Sequence, residues 1–292
     1  MLAECLESIA RSDYPRDLLD VVIVDDGDAD DSRPASAVLA VRDRLDVSLR
    51  QTSGRGPAAA RNFGASEARG TILLFTDDDC RVDSRWLRSL SESIRNAPTT
   101  AAGGRIVNRL GDNRWSTASQ RVIDLVYAYY NADPGQATFL ASNNLAVHAD
   151  AFSELGGFDE RFRTAEDRDF CRRWLAAGHE LIYVPSAVVE HAHRLTGQDF
   201  VLQQFAYGRG AFHFHRTAAR EGDSQARRAR GFYADVPRLA RRLVQEEGAG
   251  DGKRIARLAL EIGGWQLANA AGFAWEAIRA QRAGGPPRSN RA

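Results

Sequence analysis

Thr71-Ile72-Leu73-Leu74-Phe75-Thr76-Asp77-Asp78-Asp79 is a short apolar run that ends in three consecutive carboxylates. A run of this length without alternation predicts a buried strand, of the kind that helices cover on both faces. Three adjacent carboxylates repel one another, so a fold keeps them only where a cation neutralises them or water solvates them. At the carboxyl end of a strand in an open α/β sheet, a ligand is the usual cause. A hard divalent cation, held by one or two carboxylates and by substrate phosphates, suits that place. A plainer reading stands beside it, an acidic turn leading into the next helix, since Asp83-Ser84 precede Trp86-Leu87.

The pattern around this strand repeats its logic. Leu2, Cys5, Leu6 and Ile9 fall at helical spacing, and Leu19 to Val24 predicts a buried strand ending in Asp25-Asp26-Gly27. A helix over 35–42, a strand over 46–50 and a helix over 58–69 follow, with Pro57 where a helix favours its first residue. Strands alternating with helices predict a βαβ sheet. Beyond Pro98 the spacing predicts a strand over 101–107, an aromatic-rich helix over 115–130 and a strand over 139–147. A helix over 166–177 is stopped by Gly178, and strands over 181–184 and 187–190 are separated by Pro185. From Gln198 the chain reads as helical and basic, with Arg209, Arg216, Arg220, Arg227, Arg228, Arg230, Arg238, Arg241 and Arg242. A linker over 248–252 leads to a helix over 254–282. The polar tail over 283–292 is expected to be disordered.

Composition narrows the function. Acidic and basic residues balance at 39 each, so global charge gives no reason to expect a nucleic-acid partner. Cys5, Cys80 and Cys171 are odd in number and widely spaced, which predicts reduced thiols in a cytoplasmic protein. Met1-Leu2-Ala3-Glu4 lacks the basic region and apolar core of a secretory signal. No segment has the uninterrupted apolar length of a spanning helix.

Four signals occur in order: Val21-Val22-Ile23-Val24-Asp25-Asp26-Gly27-Asp28, then Gly56-Pro57-Ala58-Ala59-Ala60-Arg61-Asn62-Phe63-Gly64, then the acidic triplet. The fourth is Gly156-Gly157-Phe158-Asp159-Glu160 followed by Glu166-Asp167-Arg168-Asp169. In this order, over residues 1–195, the chain resembles the family 2 glycosyltransferases, which share the GT-A nucleotide-diphospho-sugar transferase fold. The resemblance implies an α/β fold, a Rossmann-like mixed sheet flanked by helices, with a C-terminal helical extension over 196–282. It also implies hexosyl transfer from a UDP-, GDP- or dTDP-linked donor to a saccharide, lipid-linked or other hydroxyl acceptor, with inversion.

Roles follow residue by residue from the resemblance. Asp26 looks like the carboxylate that accepts a hydrogen bond from the donor base, and a turn-capping aspartate remains its alternative. Arg61 matches the arginine on the helix facing the nucleotide, with a plain surface arginine as its alternative. The triplet matches the Asp-x-Asp motif: Asp79 is the direct ligand of Mg²⁺ or Mn²⁺, with Asp77 and Asp78 reaching the ribose or a second coordination position. Asp167 matches the general base, with Glu166 beside it in the acceptor pocket. The plainer reading of this pair is an acidic first turn that complements the helix dipole, with Thr164 as N-cap. Asn144 falls near the donor sugar, with a satisfied asparagine at a strand end as its equal alternative. His191 matches a further metal ligand, with a structural histidine as its alternative.

Two departures qualify the resemblance. Family members begin with an apolar strand before their first helix, whereas Met1 starts inside that helix. A missing central strand would leave unpaired strand edges and an incomplete nucleotide site, through a late-assigned start or a truncated product. Gln203-Gln204-Phe205-Ala206-Tyr207-Gly208-Arg209 does not match the Gln-x-x-Arg-Trp motif of processive members, so non-processive transfer is expected. The basic helices suit peripheral contact with the inner face of an anionic membrane, or simply solvated helix faces. The rival function is a non-catalytic sugar-nucleotide-binding or scaffold protein that keeps the fold without transfer.

Overall fold

The computed structural model describes residues 1–27, 32–221, 225–246 and 252–283. In chain order these form α1 (Leu2–Ala10), β1 (Asp20–Asp25), α2 (Arg33–Leu39), β2 (Asp46–Gln51), α3 (Pro57–Glu67), β3 (Ile72–Phe75), β4 (Cys80–Val82) and α4 (Trp86–Ile94). They continue with β5 (Thr100–Asn108), α5 (Arg114–Tyr130), β6 (Leu145–His148), α6 (Ala149–Glu154), α7 (Glu166–Ala176) and β7 (Glu180–His191). Three long helices follow, α8 (Gly197–Arg220), α9 (Gln225–Glu246) and α10 (Gly252–Ala283). The contacts divide the chain into two units, Met1–Leu195 and Thr196–Ala292. The expected linker and tail fall largely or wholly outside the described residues.

In the first unit β1 and β2 pair in parallel, and a five-stranded mixed sheet runs β3-β6-β5-β7-β4. Two apolar clusters cover it. One gathers Leu6, Ile9, Val41, Trp86, Leu90 and Ile94. The other is aromatic, with Phe75, Phe152, Phe158, Phe170 and Trp174 packed ring against ring. The apolar run of β3 thus serves both clusters, as the lack of alternation in its sequence required.

β1 hydrogen-bonds only to β2, and β3 only to β6, among the described strands. Their amino ends lie together, since the Asp20 carboxylate accepts from the backbone N–H of Arg69 at 3.1 Å. Their carboxyl ends, Asp25-Asp26 and Asp77 to Asp79, open on one cavity of about 730 Å³. Val21, Ile23, Leu73 and Leu74 line it, with Leu2 and Ile9 from α1. The other edges of β1 and β3 thus carry no strand partner among the described residues.

Two expected boundaries change. Residues 181–190 are one strand, not two: β7 runs through Pro185, and its register against β5 shifts between Gly104 and Arg105. The shift accommodates a proline that has no N–H to give the ladder. A side chain at Gly104 would approach the Ala187 carbonyl to 1.9 Å, so only glycine fits opposite the bulge. Likewise, the strand expected over 139–147 begins only at Leu145, because Ser142–Asn144 form a 3-10 turn.

Candidate functional site

The site is built at the carboxyl ends of β1 and β3, the amino end of α7 and the carboxyl end of β7. α3 connects them. Its Arg61 donates through Nη2 to Asp77 at 2.7 Å and through Nη1 to Glu166 at 3.0 Å. The Arg61 side chain is 15% exposed and that of Glu166 11%. Burial opposes the guanidinium charge, but Asp77, Glu166 and then Asp167 outweigh it and hold its pKa above the usual arginine value. The next residue, Asn62, clamps the glycine turn. Its side chain donates to the Phe158 carbonyl and accepts from the Phe158 N–H, both at 2.8 Å. Gly157, at φ +64°, must be glycine there, for a Cβ would meet Asn62 Oδ1 at 2.5 Å. Arg173 holds the other side of the turn through the carbonyls of Leu155 and Gly157.

Asp79 and His191 form a second pair, carboxylate to Nε2 at 3.1 Å. The register that places Cys80 opposite His191 brings the two residues together. Burial pushes the Asp79 carboxyl up, yet the hydrogen bond and charge of His191 more than offset this and leave it below the ordinary range. Burial alone would depress His191; Asp79 instead raises it. Ligand atoms of Asp79, Cys80 and His191 all lie within 4.8 Å of one another. Burial pushes the Cys80 thiol far up, and a hard cation prefers the oxygen and nitrogen atoms beside it. The carboxylate of Asp79 and the imidazole of His191 are donors that could hold a divalent cation. Asp77 faces Arg61 instead of this cluster, and Asp78 is exposed.

Asp167 opens α7. Burial first, and then the charge of Glu166, push its carboxyl up to about 7. The residue retains partial solvent access. α7 has no side-chain N-cap: the capping position is Ala165, not Thr164, and its φ of 70° is left-handed. It is the only described non-glycine residue with positive φ. Strain of this kind persists where surrounding structure fixes it, and here it immediately precedes Glu166, which pairs with Arg61, and Asp167.

Asp26 is occupied by its own loop. It accepts from the Thr52 hydroxyl at 2.6 Å and from the backbone N–H groups of Arg55 and Gly56 at 2.9 and 2.6 Å. These bonds outweigh desolvation and hold its carboxyl below the usual value. The structure does not bring Asn144 to the open cleft. It is fully buried, accepts from Trp86 Nε1 at 2.8 Å, and donates to the carbonyls of Arg105 and Ala187, both at 3.1 Å. Those carbonyls flank the β5–β7 register shift, so Asn144 satisfies the bulge that Pro185 imposes. Sequence reading missed Asn62 as a clamp; its only signal was a polar residue beside Arg61 on a small-residue helix.

The family model for glycosyl transferase family 2 matches residues 1–156. A pre-mycofactocin glycosyltransferase of Mycobacterium tuberculosis is 31% identical over 198 residues, 66% of this chain and 42% of the relative. Glycosyltransferase AglE of Haloferax volcanii is 24% identical over 210 residues, 72% of this chain and 68% of the relative. The chain thus spans about two fifths of the first of these relatives (42%). Among solved structures, the mannosyltransferase PcManGT from Pyrobaculum calidifontis in complex with GDP-Man and Mn²⁺ superposes with a TM-score of 0.63 at 22% identity. The match covers 96% of this chain and 80% of that one. At that identity the likeness establishes the fold, a GT-A mixed sheet flanked by helices.

Proposed function

The chain belongs to glycosyl transferase family 2, and from that premise we propose that it transfers a sugar from a nucleotide-diphospho-sugar to an acceptor hydroxyl, with metal dependence, inversion and no processivity. The observation that carries this reading is Arg61, which joins the acid at the end of β3 to the acid at the start of α7. Donor-side and acceptor-side carboxylates are thereby held in one network.

Asp79 and His191 would hold the cation, with Asp77 kept close by Arg61. A bound Mn²⁺ or Mg²⁺ supplies Lewis-acid neutralisation of the charge that develops on the departing diphosphate. Asp26 receives the base of a UDP, GDP or dTDP moiety while its loop fixes the carboxylate. Asp78 reaches the ribose. Asp167 takes the proton of the acceptor hydroxyl as that oxygen bonds to the anomeric carbon and the bond to the diphosphate breaks. A carboxylate poised near neutrality suits this proton transfer. Displacement from the face opposite the leaving group inverts the anomeric centre. The acceptor is a saccharide, a lipid-linked sugar or another hydroxyl compound. The same reading includes a cytoplasmic location and peripheral contact of the helical unit with a membrane. In the described residues no helix is long and apolar enough to cross one.

One rival reading is donor binding without transfer, by a sugar-nucleotide-binding or scaffold protein. Isothermal titration of UDP, GDP and dTDP with Mn²⁺, alongside release of sugar from the matching donors, separates the two. Binding with turnover that Asp167→Asn abolishes supports transfer. Binding without turnover supports the rival, and absence of nucleotide binding defeats both.

A further inference from the structure

The exposed face of α10 is apolar over most of its length. Leu260, Leu267, Trp275 and Ile278 are 67%, 75%, 59% and 51% exposed. Their spacings of seven, eight and three residues put them on one side of the helix, a stripe of about 27 Å at 1.5 Å per residue. Ala271 and Ala274 fill the intervals. From Leu258 to Ile278 the only charged residues are Glu261 and Glu276, and both point away from this stripe into the helical unit. Glu261 is ion-paired with Arg257, and Glu276 with Arg209 and His213.

α8 extends the same surface. The two helices pack backbone to backbone, for a Cβ on Gly272 would lie 2.0 Å from the Phe205 carbonyl and one on Gly208 1.9 Å from that of Asn269. These pairs run in opposite directions along the two helices, which sets Phe205 beside Trp275 with ring centroids 6.5 Å apart. Leu202, one turn from Phe205, is 56% exposed.

Basic residues bracket the stripe. Lys253 and Arg257 stand at its amino end and Arg279 and Arg282 at its carboxyl end, all exposed. A second copy laid along this face, parallel or antiparallel, would set basic end against basic end. An anionic bilayer meets both ends favourably and takes the leucines, isoleucine and tryptophan into its headgroup boundary.

We propose that the outward face of α10, extended by Leu202 and Phe205 of α8, docks on the surface of an anionic lipid bilayer. This locates the membrane contact of the proposed function on apolar side chains, where the sequence pointed only to arginines. It rests on that part of the reading and not on the transfer chemistry, so its test reads no sugar transfer.

The experiment uses the full chain with phosphatidylcholine vesicles prepared with and without phosphatidylglycerol. Co-sedimentation with the anionic vesicles is expected, weakening as salt rises. A blue shift of tryptophan emission should accompany it and be largely lost in Trp275→Phe, since Trp86, Trp174 and Trp265 are buried and the half-buried Trp115 belongs to the first unit. Leu260→Ser combined with Leu267→Ser should lower vesicle affinity about tenfold or more. Arg279→Glu with Arg282→Glu should remove the preference for anionic vesicles, while unchanged melting curves show that both variants fold. Failure to bind either vesicle, or binding that the leucine variant leaves intact, overturns the proposal. So does a dimer in sedimentation equilibrium that Leu267→Ser dissociates, which assigns the face to a second copy.

Discussion

Arg61 donates to Glu166 across 105 residues of sequence, Nη1 to Oε1 at 3.0 Å, with both side chains largely withdrawn from water. Its second nitrogen reaches Asp77. One guanidinium therefore compensates two carboxylates from different elements, and its planar fork permits both bonds at once. Arg61→Ala leaves those carboxylates facing each other without a cation. It should destabilise the fold by roughly 3 kcal/mol, as breaking a buried ion pair does. Arg61→Lys restores the charge without the fork, so stability should largely return while transfer stays at least about tenfold low. Chemical denaturation and donor-turnover assays check the two parts. If Arg61→Ala melts like the native chain, the bridge contributes nothing to the fold.

Asp167 gives the reaction a pH signature. Burial and Glu166 raise its carboxyl to about 7, and a general base works only when deprotonated. Activity should therefore climb as pH rises through about 7 and level off above it. Glu166→Gln removes the like charge beside Asp167 and should move the midpoint of that limb downward by about one pH unit. A pH–rate profile of kcat/KM for both proteins tests this, and a midpoint that stays fixed would separate the limb from the Glu166–Asp167 pair.

Asn144 carries an opposite prediction, large for stability and small for binding. Replacing it with Ala strips partners from Trp86 Nε1 and from the carbonyls of Arg105 and Ala187. Unsatisfied buried groups cost about 1–3 kcal/mol each, so with three groups stripped Asn144→Ala should lose roughly 3 kcal/mol or more. Donor affinity at a temperature where the variant stays folded should match that of the native chain. Titration calorimetry showing a tenfold weaker donor at full folding would return Asn144 to the donor site.

These three residues also mark how far sequence reading reaches. Asp77 to Asp79 and Glu166-Asp167 were legible because each sits beside a local signal, an apolar strand or the start of a helical period. The Arg61 bridge was not, since its partners lie 16 and 105 residues away and only the folded sheet makes them neighbours. For Asn144 the sequence left a donor-side role and a satisfied structural role equally open, for a related reason. Two of its partners, the carbonyls of Arg105 and Ala187, flank a register shift in a β7 that continues through Pro185, whereas a proline in an apolar run reads locally as a strand end. Thr164 looked like a helix cap by residue type, but the left-handed turn falls one residue later, where no sequence rule expects an alanine.

That alanine supplies the last prediction. At φ 70° the methyl of Ala165 crowds its own backbone, at a cost of about 1–2 kcal/mol relative to the right-handed region. Glycine escapes the clash but loses more chain entropy on folding, about 0.5–1 kcal/mol, so Ala165→Gly should come out stabilising by under roughly 1 kcal/mol. Ala165→Val adds a β-branched side chain to the same backbone and should destabilise by about 1–3 kcal/mol. The functional consequence runs the other way for glycine. A freer turn holds Glu166 and Asp167 less firmly against Arg61, so kcat should fall while donor affinity, set at the β1 and β3 ends, stays put. Thermal melts paired with steady-state kinetics decide the matter. A glycine variant that melts lower than the native chain would show that the left-handed turn stores no strain.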